Sequence, residues 1–96
     1  MIYVLIANRD RDGHEKFIVA DESLQVCVDI WNSIDLSGWD YGTLVVLSNG
    51  KKISYSRYLS VKNLTFDEAR KSLSYYHLIE KLESNEKIFT STVYNN

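Results

Sequence analysis

Apolar residues fall in short unbroken runs near the start of the chain and at helical spacing further along, and this change of period predicts the elements. Residues 2–7 are apolar on both alternating faces, as suits a strand in the middle of a sheet. Residues 16–20 read the same way. The polar loop between the two runs ends in Asp12-Gly13, so they are expected to pair as a hairpin.

Asp21 stands where an N-cap belongs, and a helix is expected to follow to about Ile34. At about 100° per residue, Leu24, Val26, Cys27, Val28, Ile30, Trp31 and Ile34 occupy one arc, which predicts a helix lying deep against the sheet. Residues 35–42 form a loop that contains Trp39. Residues 43–47 read as a second strand buried on both faces, and Asn49-Gly50 is the strongest hairpin signal in the chain. Its partner, residues 51–58, sets Ile53 and Tyr55 on one face and Ser54 and Ser56 on the other, the pattern of a half-exposed edge strand.

Thr65 and Glu68 have capping-box spacing, with the glutamate expected to reach back, and predict a second helix to about Leu82. Residues 88–94 are a final strand candidate. The order ββαββαβ gives one α+β domain over residues 1–96, a mainly antiparallel sheet with two helices packed on it. Its expected core is Val4, Ile6, Phe17, Val19, Leu24, Val28, Trp31, Val45, Leu47, Leu73 and Tyr76.

In the second helix, Phe66, Ala69, Leu73 and Tyr76 make one apolar stripe, and Tyr75, Leu78, Ile79 and Leu82 make another about 150° away. One core cannot receive both. Either the helix bends or is covered on its far side, or the second stripe is a contact surface for a partner or a second copy. Tyr75, Leu78, Ile79 and Leu82, with Trp39 from the loop, are the candidate partner-binding residues.

Composition changes this picture little: 45% apolar and 25% charged residues are ordinary globular usage, which argues against disorder and against a membrane class. The apolar start gives way to charged residues at Arg9 and Asp10, too soon for a signal peptide or spanning helix. With one cysteine, Cys27, and hence no internal disulfide, the expectation is a cytoplasmic protein.

Charge distribution matters more. Residues 1–40 sum to minus 5 and residues 67–96 to minus 1, whereas residues 41–66 hold no acid and four bases, Lys51, Lys52, Arg57 and Lys62. Together with Tyr55 and Tyr58 these bases supply the ingredients of a single-strand binding sheet, cations for phosphates and aromatic faces for stacking, although Tyr55 shares a face with Ile53 and is expected to be partly in the core. Residues 52–58 lack the basic, glycine, aromatic order of the RNA-recognition motif, and a lysine-guarded edge strand is the plainer explanation.

No catalytic, metal or cofactor motif stands out. Residues 8–13 imitate the opening of a calcium loop, but the twelfth position is Val19 where a bidentate glutamate belongs, and Arg9 and Arg11 bring positive charge to the ion's place. One cysteine and two distant histidines, His14 and His77, do not make a zinc set. Cys27, on the apolar arc, reads as a small buried hydrophobe. No nucleophile elbow and no phosphate-cradling glycine loop occur.

The expectation is therefore a non-enzymatic protein-binding domain without cofactor, partnered by another protein or by itself as a homodimer. In size and style it is similar to the inhibitors and adaptors that phages and mobile elements direct at host machinery. Single-stranded nucleic-acid binding through residues 51–62 is the alternative.

Overall fold

In a computed structural model, residues 1–73 are described, and they build six elements. Strands β1 (Ile2–Arg9) and β2 (His14–Asp21) precede helix α1 (Leu24–Ser33), then come β3 (Tyr41–Ser48), β4 (Lys51–Leu59) and helix α2 (Phe66–Ser72). The four strands form one antiparallel sheet in the order β2-β1-β3-β4. The fold is α+β. The expected continuation of α2 to Leu82 and the expected strand 88–94 lie outside the described residues, as does Tyr76 of the expected core.

The apolar runs 2–7 and 43–47 became the two central strands because only a strand with neighbours and cover on both sides has use for apolar residues at every position. Residues 16–20, expected to be central too, instead form part of β2 at the end of the described sheet, where of that run only Val19 is buried. Leu5 pairs with Leu44 on one face, while Val4 pairs with Val45 on the other. On the first face Leu5, Ala7 and Leu44 meet Leu24, Cys27, Val28 and Trp31 of α1, with Leu36, Leu64 and Ala69 closing the layer. Val4, Ile6, Val45 and Leu47 make a second buried cluster, with Ile2 and Tyr55 packed against it.

Several local expectations are corrected. Asp21 is not the cap of α1: it ends β2, and its carboxylate accepts from the Ser23 N–H at 2.8 Å. Ser23 is the N-cap, its hydroxyl accepting from the Val26 N–H at 3.3 Å, so the helix starts one small turn later. The α1 arc is also narrower than its apolar residues. Leu24, Cys27, Val28 and Trp31 are buried, at the i, i+3, i+4, i+7 spacing of one contact stripe, while Val26, Ile30 and Ile34 on the flanks stay exposed.

Phe17, expected in the core, is 40% exposed. The β1–β2 register shifts between Leu5 and Ile6, which leaves Ile18 as the extra residue of a bulge and turns Phe17 to the side opposite Val19 on the outer strand. Leu73 is half-buried and packs against the helix-side core.

Strand β4 ends the sheet among the described residues, as the edge pattern implied, but its faces are reversed in depth. Ser54 and Ser56, expected outside, are buried, and Ile53 and Tyr55 are half-buried. The serines lie on the helix side, where small side chains let α2 approach, and the Ser54 hydroxyl donates to the Leu73 carbonyl at 3.2 Å. No helix among the described residues is long and apolar enough to cross a membrane.

Candidate functional site

At the end of β4 the register slips: Thr43 pairs with Arg57 and Gly42 with Leu59, so Tyr58 is an extra residue with no partner across the ladder. Arg57 stays on the face of Thr43, while Leu59, 4% exposed, enters the helix-side core. Inserting one residue is how the chain satisfies both. Tyr58 takes the cost. Its φ is +66°, in the left-handed region that a bulky L-residue avoids, and the residue is 72% exposed.

The ring thrown outward is not isolated. Its centroid lies 4.7 Å from that of Tyr41, tilted by 40°. The Arg57 guanidinium sits 5.4 Å from the Tyr41 ring centre and 5.8 Å from that of Tyr58. Arg57 Nη2 also donates to the Tyr41 hydroxyl at 2.5 Å. Two aromatic rings and one cation therefore brace each other at the strand end, in geometry suited to cation–π attraction.

Beside this cluster an open groove of about 750 Å³ runs between β4 and α2, lined by Ser56, Arg57, Tyr58, Leu59, Glu68 and Ser72 among others. Helix α2 is aimed along it by its cap. Thr65 Oγ1 accepts from the Glu68 N–H at 3.0 Å, as the capping-box spacing implied. The reciprocal half differs from expectation: the Glu68 carboxylate accepts from the Ser60 N–H and the Ser60 hydroxyl, both at 3.3 Å, and so ties α2 to the end of β4.

The four bases of residues 41–66 do not form one track. Lys51 lies at the exposed hairpin tip. Lys52 is half-buried with its ammonium 4.8 Å from the Tyr55 ring centre, and burial lowers its pKa. Lys62 is in the loop after β4, where it lines a second groove of about 400 Å³ with Trp39, Asp35 and Val61. Trp39 is thus brought to Lys62, and Arg9 lies 4.9 Å from its ring centre. Of the candidate nucleic-acid residues, Arg57 meets Tyr58 and Lys52 meets Tyr55. The candidate partner-binding residues Tyr75, Leu78, Ile79 and Leu82 lie outside the described residues.

The calcium-like loop is a hairpin tip closed by its own charges. Arg9 pairs with Asp12 at 2.9 Å, and His14 Nδ1 approaches the same carboxylate at 3.2 Å. The hydrogen bond from Arg9 holds the Asp12 pKa down at about 2. Among the described residues, no group of three or more His, Cys, Asp or Glu side chains is placed to hold a metal ion. Cys27 is fully buried, and its thiol donates to the Tyr3 carbonyl at 3.5 Å.

Sequence reasoning found Tyr58 and Arg57 but missed Tyr41. Tyr41 reaches them only through pairing of β3 with β4, across a hairpin, and nothing local to residues 41–42 announces it. Comparison with models of protein families, with curated proteins and with solved structures finds no match to this chain.

Proposed function

We propose that this chain is a non-enzymatic protein-binding domain whose contact surface is centred on Tyr58. One observation supports this above the others: an exposed tyrosine is held in left-handed backbone at a bulge, braced by Tyr41 and Arg57. Such a conformation costs about 1–2 kcal/mol for an L-residue, and strain of this kind collects at binding sites. Tyrosine and arginine are also the side chains in which interface energy concentrates, and bracing lowers the entropy lost when they are fixed.

A domain that docks one partner through such an edge acts as an adaptor or, by covering the partner's own site, as an inhibitor. The style of the chain fits the small proteins that phages and mobile elements turn on host machinery. The alternative, single-stranded nucleic-acid binding, draws on the same Arg57–Tyr58 pair and on Lys52, which shares the Arg57 face of β4 across Tyr55, but Lys51 at the hairpin tip and Lys62 in the loop beyond β4 shorten the phosphate track.

The test is affinity capture from host lysate with the wild-type chain and Tyr58→Ala, each with and without nuclease, alongside sedimentation of the pure protein. The expected result is a captured protein, or a dimer, that survives nuclease and is lost in the variant. Retention undiminished by Tyr58→Ala overturns this site, and retention abolished by nuclease favours the alternative.

A further inference from the structure

Resting on the reading that the Tyr58 surface binds protein, we propose that its occupant is an acidic segment of the partner, with one of the segment's carboxylates paired to Arg57. Residues 41–66, which supply β3, β4 and the loop beyond, contain no acidic side chain. The Arg57 guanidinium is held by the Tyr41 hydroxyl through one of its donors and lies beside the paired rings of Tyr41 and Tyr58. Among the described residues no carboxylate pairs with it, although it lines the groove beside α2. A planar fork fixed by aromatic rings, with its other donors uncommitted to described residues, matches the geometry of a carboxylate.

Glu68 is the acid that lines the same groove among the described residues, and its oxygens are held at the Ser60 end by two hydrogen bonds. A phosphate chain carries a charge at every nucleotide and takes its affinity from several cations in line. Here Lys51 and Lys62 stand away from Arg57, Lys52 sits on the Tyr55 ring, and the Arg57 guanidinium lies beside a pair of touching rings in a groove that Lys71 of α2 also lines. That arrangement suits a single carboxylate on a strand or loop whose neighbours pack on Tyr58 and Tyr41, in the manner of a protein hot spot.

The experiment titrates the full chain with a short fluorescent peptide carrying glutamate at alternate positions, with its glutamine counterpart and with an oligothymidine strand. Amide chemical shifts locate each contact. The expected result is glutamate-peptide binding that moves the amides of Ser56 to Ser60, weakens with added salt, and falls about three- to tenfold for the glutamine peptide and for Arg57→Gln, the range of a charge-assisted contact at a partly exposed rim. Arg57→Lys, which keeps charge without the fork, is expected to fall between.

Equal binding of the two peptides, absence of any shift at residues 56–60, or tighter binding of the oligothymidine at those residues each overturns the acidic occupant. The comparison of the two peptides on the wild-type chain is decisive even if a variant fails to fold. The two readings separate cleanly. If Tyr58→Ala abolishes capture of a protein partner while the glutamate peptide does not bind, the protein-binding surface stands and the acidic occupant falls. If capture is indifferent to Tyr58→Ala, the surface itself is wrong.

Discussion

The indole of Trp31 occupies the space that a side chain on Gly42 would need. A Cβ built at Gly42 would lie 2.7 Å from Cζ2 and 2.9 Å from Cη2 of that ring. Helix α1 can lie close on β3 only because the strand's second residue has no side chain. The ring is fully buried, and its Nε1–H donates to the Ser60 carbonyl at 2.9 Å, so it has no room to give way. Gly42→Ala is therefore expected to destabilise by about 1–3 kcal/mol, as overpacking does. Urea unfolding measures it. In a double-mutant cycle, Trp31→Phe should make the added alanine less costly, because the smaller ring removes the clash. Strict additivity would show that the two residues do not meet as described.

Strand phase was legible wherever burial left no choice. Residues 2–7 and 43–47 are apolar on both faces, and any pairing of them gives two central strands. Bulges were not legible. Phe17, Ile18 and Val19 look equivalent in sequence, and the extra residue among them is chosen by which side chains α1 can cover. Tyr55 and Leu59 have the same parity in β4, yet they end on opposite faces because Tyr58 is inserted between them. The candidate site depends on that insertion, so its residues were named without their arrangement. Capping was half legible for a similar reason: the spacing of Thr65 and Glu68 is local, whereas the Ser60 groups that take the carboxylate arrive from the sheet.

Asn32 is a residue that no sequence pattern singled out. On the polar side of α1, its amide accepts from the Leu64 N–H at 2.9 Å and donates to the Leu64 carbonyl at 2.6 Å. It thereby fastens the loop before α2 to α1 and fixes Leu64, which is 2% exposed, in the core. Asn32→Ala leaves both backbone groups without this partner and is expected to cost about 1–3 kcal/mol. Asn32→Asp should be no better, since a carboxylate faces the Leu64 carbonyl where a donor is needed. Thermal melting of the two variants checks this, and a shift within about 0.5 kcal/mol for both would mean that water replaces the amide without loss.

Burial, with the nearby charge of Asp21 adding to it, pushes the Cys27 thiol up to about 11. The folded state therefore favours the protonated thiol. Its contribution to stability is whole below the unfolded thiol's pKa of about 9 and is lost as pH rises through about 11. Two outcomes follow. At neutral pH a thiol reagent should modify the folded chain far more slowly than the urea-unfolded chain. Between pH about 9 and 11, wild-type stability should fall more steeply than that of Cys27→Ala, a comparison that cancels the titration of the tyrosines and lysines common to both. Parallel pH profiles would show that the thiol is no more protonated in the folded chain than in the unfolded one.

Tyr58 offers a sharper separation of stability from function. Its left-handed backbone costs about 1–2 kcal/mol for an L-residue, against which contact with the Tyr41 ring returns about 0.5–1.5 kcal/mol. Tyr58→Ala removes the contact and keeps the strain, so it should be the less stable replacement. Tyr58→Gly also removes the contact but releases the strain, offset in part by about 0.5–1 kcal/mol of extra chain entropy in the unfolded state. Glycine is therefore expected to exceed alanine in stability, by up to about 1 kcal/mol, and to come close to wild type. That order is the reverse of the one found at ordinary strand positions, where glycine is the weaker residue. If the tyrosine is kept in this conformation for contact, both variants should lose partner retention equally despite their different stabilities. Urea unfolding and the capture assay, run on the same preparations, decide between the alternatives. Alanine matching or exceeding glycine in stability would mean that residue 58 leaves the left-handed region once the ring is gone, and retention that tracks stability instead of the ring would remove Tyr58 from the binding surface.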